Sequence, residues 1–159
     1  MFNKGYRITS LDYMGDLISV VYRPGSGEQR VHGGITYDEF KQLYNQYFSK
    51  GLRLITMMRY YGDSWNELMA VWRVGSGGQH WYTNTGSSWD DFKKTDADLR
   101  QKGYRLIAFP PYAINAIWNE GTGAQEIDFA VGWDTFKKHD DAHFKNGLRL
   151  VDLGVGASP

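Results

Sequence analysis

The chain contains no cysteine, so neither a disulfide nor thiolate chemistry is available to it, and its redox compartment stays undetermined. Proline is scarce at four residues, two of them adjacent at Pro110-Pro111, which leaves most of the chain free to form hydrogen-bonded ladders. No stretch approaches the roughly 18 uninterrupted apolar residues that a membrane-spanning helix needs. The first twenty residues lack the basic start and apolar run of a signal peptide, so a soluble chain with no export signal, or one whose signal has been removed, is expected. Net charge is absent too: 18 basic and 18 acidic residues cancel, whereas polyanion-binding proteins usually carry a basic excess. What the sequence does hold is 8 Phe, 6 Trp, 11 Tyr and 19 Gly, in a chain that is 42% apolar. That composition excludes disorder, and a single domain of this length buries about 70% of the surface its unfolded chain exposes.

The aromatic residues and glycines are periodic. Gly5-Tyr6-Arg7-Ile8 returns as Gly51-Leu52-Arg53-Leu54, Gly103-Tyr104-Arg105-Leu106 and Gly147-Leu148-Arg149-Leu150. Val21-Tyr22-Arg23, followed by a Gly-Ser-Gly turn and Gln29, returns as Val71-Trp72-Arg73 with Gln79 and as Ile117-Trp118-Asn119 with Gln125. Tyr37-Asp38-Glu39-Phe40 returns as Trp89-Asp90-Asp91-Phe92 and Trp133-Asp134-Thr135-Phe136. Three landmarks in one order, three times, define repeats of about 5–50, 51–102 and 103–146, then a closing strand 147–153 and a tail 154–159.

Residue types assign the elements within a repeat. Tyr6 to Tyr13, Leu52 to Tyr60, Tyr104 to Phe109 and Leu148 to Leu153 read as first strands, and Leu17 to Arg23, Glu67 to Val74 and Ala113 to Asn119 as second strands. Met14-Gly15-Asp16 and Gly62-Asp63-Ser64 are hairpin turns, while Pro110-Pro111 marks a different bend. Third strands follow at Gln29 to Ile35, Gln79 to Thr85 and Gln125 to Val131. Thr36 with Glu39 and Ser88 with Asp91 are spaced as capping boxes, so helices run from there to Lys50-Gly51, Lys102-Gly103 and Asn146-Gly147. The expected fold is α+β: a three-strand meander and a helix per repeat, joined into one curved antiparallel sheet, half-barrel or barrel-like, with helices on its outer face.

These landmarks resemble the bacterial tandem repeat domain, on Ala70-Val71-Trp72-Arg73, Trp89-Asp90-Asp91-Phe92, Trp133-Asp134-Thr135-Phe136 and Gly147-Leu148-Arg149-Leu150-Val151-Asp152-Leu153. Similar repeats form the amino-terminal region of fungal polyglycine hydrolases, where the peptidase chemistry belongs to a separate domain. The resemblance implies an accessory or recognition module and favours an extracellular setting. Tyr22 and Tyr37 stand where the pattern has Trp.

Candidate chemistry is sparse. Arg7, Arg53, Arg105 and Arg149 either line an anion site or tie repeats together through helix-start acids or helix C-terminal carbonyls, and the second reading is preferred. Gln29, Gln79 and Gln125 are read as closing the glycine turns that precede them. His139 and His143 share a helix face, but without a third ligand they read as a solvated surface and no metal or cofactor is expected. Non-repeated residues are more telling, because the repeat does not require them. Tyr60, Tyr61, Trp65, Trp81 and Tyr82 are read as a stacking surface, with His32 and Asp128 on the polar face of the third strands; Tyr112 belongs to the same non-repeated set. The leading expectation is a non-enzymatic module binding an extended polymer, glycan or peptide. A self-associating scaffold, forming a homo-oligomer, is second, and a hydrolase pairing Asp128 with His32 or His80 is third. Neither nucleic acid nor membrane is expected as a partner.

Overall fold

A computed structural model of the chain describes residues 1–14, 17–60, 67–83, 88–109, 115–128, 131–151 and 153. After a single 3-10 turn at Phe2–Lys4 come β1 (Tyr6–Met14), β2 (Leu17–Pro24), β3 (Gln29–Ile35), α1 (Tyr37–Ser49), β4 (Leu52–Tyr60), β5 (Glu67–Val74), β6 (Gln79–Thr83), α2 (Trp89–Gln101), β7 (Tyr104–Ala108), β8 (Asn115–Glu120) and α3 (Trp133–Lys145). The two turns expected at 14–16 and 62–64, and the bend at Pro110-Pro111, lie wholly or mostly outside the described residues.

Helix starts follow the sequence closely. Thr36 and Ser88 each accept from the backbone N–H three residues on, while Glu39 and Asp91 accept from the cap backbone in return. The bonded carboxyls of Glu39 and Asp91 are held below the ordinary carboxylate value, because the cap backbone and hydroxyl groups donate to the charged form. At α3 Gly132 takes the cap position and supplies no side-chain bond. The helices stop where Gly51, Gly103 and Gly147 adopt left-handed backbone, with φ of 77°, 83° and 83°, a conformation that costs other residues about 1–2 kcal/mol.

The strands pair differently from the meander that the sequence suggests. First and second strands form antiparallel hairpins, β1 with β2, β4 with β5 and β7 with β8. Each third strand leaves its own hairpin and pairs with the second strand of the next: β3 lies along β5, from Gln29 opposite Arg73 to Ile35 opposite Leu68, and β6 along β8, from Gln79 opposite Asn119 to Thr83 opposite Asn115. The single curved or barrel-like sheet is therefore replaced by three small antiparallel sheets, ordered β1-β2, β3-β5-β4 and β6-β8-β7. Alternation of side chains was legible, but alternation says nothing about which neighbour a strand chooses. Gln125 to Asp128 forms no strand, and neither do Leu148 to Val151 and Leu153, the expected closing strand; the described residues hold no further hairpin for either segment to pair with.

Three hydrophobic clusters join these layers. Ile8 and Leu11 of the first hairpin pack on Met58, Met69 and Val71, one face of the second sheet. Its opposite face, with Leu54, Met57, Ala70 and Trp72, receives Phe40 and Tyr47 of α1, together with Ile117 from the third sheet. Phe92 and Leu99 of α2 pack in turn on Leu106, Ala116 and Trp118. α1 and α2 thus each cover the sheet of the repeat after their own, so successive repeats share their cores rather than abut. Both faces of β5 and β8 are buried as a result: Leu68 to Trp72 and Asn115 to Trp118 are buried without a break.

Candidate functional site

The repeated polar residues turn out to be structural clamps. Arg7 donates from Nε to the Gly27 carbonyl at 2.7 Å and from Nη1 to the Phe2 and Tyr6 carbonyls at 3.1 and 2.9 Å. Arg53 does the same toward Gly77, Phe48 and Leu52, and Arg105 toward Gly123, Arg100 and Tyr104. Each guanidinium therefore ties a helix end to a glycine turn, and those of Arg7, Arg53 and Arg149 also lie over Phe2, Phe48 and Phe144 at 3.8 to 4.0 Å. These positions bind backbone, not an external anion.

The glutamines correct the sequence reading more sharply. They do not close their own turns. The Gln79 amide accepts from Leu54 N–H at 3.0 Å and donates to Leu54 C=O at 2.8 Å, and Gln29 and Gln125 treat Ile8 and Leu106 in the same way. The residues they bind sit where the hairpin register slips, between Ile8 and Ser10, Leu54 and Thr56, and Leu106 and Ala108. One side-chain amide thus substitutes for one residue of a neighbouring strand at each bulge. Nothing in the sequence marks the bulge, so the glutamine's target was not legible.

The expected aromatic surface is divided. Tyr61 and Trp65, with Tyr112, lie outside the described residues; Tyr60 ends β4, and only its backbone is described. Trp81 is half-buried edge-on to Phe40 at 4.9 Å and Tyr44 at 5.7 Å, in the cluster under α1. Its neighbour Tyr82 points the other way, toward Phe92 at 6.4 Å in the cluster under α2. The two rings do not form one platform. Tyr44 donates to the Gln79 carbonyl at 3.3 Å, and burial pushes its phenol up to about 12.

The expected acid-base pair is not formed either. His32 Nε2 lies 2.8 Å from the Tyr47 hydroxyl, His80 packs edge-on against Tyr104 at 4.6 Å, and Asp128 Oδ1 instead meets His139 Nδ1 at 2.7 Å, with His143 Nε2 3.7 Å from Oδ2. Asp128 follows the third-strand position of His32 and Tyr82, and His143 the helix position of Tyr47 and Leu99. The same contact between strand and helix recurs, in polar form, at α3. Burial, helped by the Arg30 charge, holds the His32 imidazole below its ordinary value of 6.5. A lowered folded value means that the unfolded chain takes up the proton first on acidification. The stability tied to His32 is then whole above pH 6.5 and is lost as pH falls from there toward the folded value. Denaturant midpoints across this window should show a shallower acid loss for His32→Gln than for the parent chain, and equal slopes would refute the coupling.

The first hairpin has an edge and a face that its counterparts do not expose. Among the described residues no third strand lies along the other side of β2, where Leu17, Ile18 and Val21 are 50 to 70% exposed. Among the described residues no helix covers the face that carries Tyr22. Tyr22, at the position of the fully buried Trp72 and Trp118, is 41% exposed, and it lines a cavity of about 420 Å³ with Phe2, Tyr6, Ile8, Gln29 and Val31. The Phe2–Lys4 turn occupies the place of a helix's last turn: Phe2 contacts Arg7 as Phe48 contacts Arg53. Among the described residues nothing else takes the place of that helix.

The model of the polyglycine hydrolase-like structural repeat matches residues 26–68 and again 78–121, more than half of the chain. The chain belongs to this repeat family. The phase of the matches differs from the phase at which the sequence pattern is easiest to see. Each match starts in a glycine turn and runs through a third strand, a helix and the following first strand, into or through the second strand. The family's repeat is therefore the unit that packs together, strand, helix and hairpin. No curated protein and no solved structure matches the chain.

Proposed function

We propose that the protein is a recognition module with no chemistry of its own, which takes up an extended peptide along β2. The observation that carries this reading is the two-stranded first sheet beside two three-stranded ones. In the second and third sheets the incoming strand supplies main-chain hydrogen bonds to the second strand while alternate side chains enter the helix-covered face. An external strand on β2 would gain the same pairing, with affinity from backbone bonds and selectivity from pockets for alternate side chains. Tyr6, Ile8 and Tyr22 beside the cavity supply the apolar wall, and they favour a peptide over a glycan, for which no ring surface and polar fringe come together among the described residues.

The test uses a fluorescent peptide copying Glu28 to Thr36, the segment that fills the equivalent place on β5. Anisotropy should saturate with a Kd between about 1 and 100 μM, the affinity of a modest interface. Amide hydrogen exchange should slow in β2. No saturation by about 1 mM, or protection of β5 rather than β2, would refute the reading.

A further inference from the structure

The open hairpin has its complement on the same molecule. A complete unit is a third strand and helix followed by a hairpin: β3 and α1 with β4 and β5, then β6 and α2 with β7 and β8. The described residues also hold two half-units. One is β1 and β2, with no third strand along β2 and no helix over Tyr22; the other is Gln125–Asp128 and α3, which touch the third sheet through the Gln125 amide and Ile127 but have no following hairpin to complete.

The half-unit at α3 carries the inward face of the other helices without anything to cover it. α1 buries Phe40 and Tyr47, and α2 buries Phe92, Asp96 and Leu99, whereas α3 buries nothing. Phe136, the counterpart of the fully buried Phe40 and Phe92, is only half-buried, and Trp133 and Phe144 are 66% and 59% exposed. Gln125 still makes the amide clamp onto Leu106, so the segment leaves the third sheet on the same course as β3 and β6.

The departures from the repeat at the two ends also match. Where the preceding units present Tyr47 and Leu99 to an indole, α3 presents His143, beside Asp128. The hairpin left open is the one that carries a phenol, Tyr22, in place of Trp72 and Trp118. A phenol both donates and accepts, and so can satisfy the imidazole and carboxylate that an indole N–H alone cannot.

We infer that residues 125–128 and α3 of one molecule dock on β1 and β2 of a second copy, head to tail, and reproduce the contact that α1 makes with the second sheet and α2 with the third. This rests on the reading that β2 accepts a strand, and it names the strand's source. Such a contact is heterologous: each molecule keeps one free donor and one free acceptor, so association continues until a ring closes or a filament grows.

The experiment measures mass by light scattering on a sizing column, with the chain loaded from about 1 to 500 μM, the range of modest interfaces. Mass should rise with concentration in whole multiples of the monomer. Tyr22→Asp blocks the acceptor and Phe136→Asp the donor, and each variant alone should stay monomeric. Mixed in equal parts, they retain one intact donor and one intact acceptor and should form a dimer that grows no further. If either variant loses its far-ultraviolet circular dichroism or its cooperative melt, Ile18→Glu and Trp133→Glu, both at exposed positions, replace the pair. A chain monomeric throughout the range overturns the inference, as does a mixture that fails to dimerise or oligomers that survive both substitutions. Saturable binding of the Glu28–Thr36 peptide by a chain that stays monomeric would leave the recognition reading standing while this inference falls.

Discussion

Trp118→Ala should lower the stability of the chain by about 3–5 kcal/mol, the range for truncating a large aromatic in a packed core. The indole is fully buried between α2 and the third sheet, where Phe92 lies 5.7 Å away, ring to ring. It also donates from Nε1 to Asp96 Oδ1 at 2.8 Å, and Asp96 is itself buried and paired with Arg100 at 2.7 Å. Truncation therefore opens a cavity and removes one of the two partners of a buried carboxylate. Against a typical total of about 5–15 kcal/mol, this is a large share of the stability. The milder Trp118→Phe isolates the polar part, and its cost should exceed that of Trp72→Phe by about 1–2 kcal/mol. The reason is that Trp72 Nε1 is buried with no partner among the described residues, so its removal forfeits no hydrogen bond. Urea midpoints for the three variants and the parent chain measure the comparison, and equal costs for the two Phe variants would refute the role given to Asp96.

Gln79→Leu should cost about 3 kcal/mol although it is nearly isosteric and removes no apolar contact. The substitution strands the N–H and C=O of Leu54, and it takes a donor at 2.6 Å from Asn119 Oδ1. Gln125→Leu strands the equivalent groups of Leu106 at a part-buried site, so water replaces some of what is lost and about 1 kcal/mol is expected. Gln79→Glu discriminates further. A carboxylate in that place keeps an acceptor for Leu54 N–H but offers no donor to Leu54 C=O, and it sets a negative charge beside Asn119 Oδ1. It should be at least as damaging as Leu. If Gln79→Leu and Gln125→Leu prove equally mild, the amide is not serving as a strand.

Local order was the part most fully written in the sequence. The bounds of β3, β4, β5 and the three helices follow from side-chain alternation, capping boxes and glycine stops, all of which act within a few residues. Long-range partners were not written there. Val31 and Trp81 alternate in the same way whether β3 and β6 pair at home or with the next hairpin, and only the packing of Phe40 on Trp72 and Phe92 on Trp118 decides in favour of the next. The same limit applied to the candidate site. Non-repetition marked Trp81 and Tyr82 as special, yet these rings fill gaps between helix and sheet that differ from unit to unit. The open first hairpin was hidden for the opposite reason: Tyr22 obeys the pattern, and its exposure comes from the neighbour it lacks.

Pairing with the next hairpin also orders events during synthesis. When β3 emerges from the ribosome, its partner β5 lies more than thirty residues behind it in the chain, so β3 must wait with both edges open. α1 waits with it, since the surface for Phe40 and Tyr47 comes from β4 and β5. The second sheet can therefore close only after Val74 has left the tunnel, and the third only after Glu120, so folding proceeds from the amino terminus one unit behind translation. A pause in translation between residues 36 and 67 would hold an uncovered amphipathic helix and an unpaired strand in the cytosol or translocon together, and that interval is where chaperone contact is most needed.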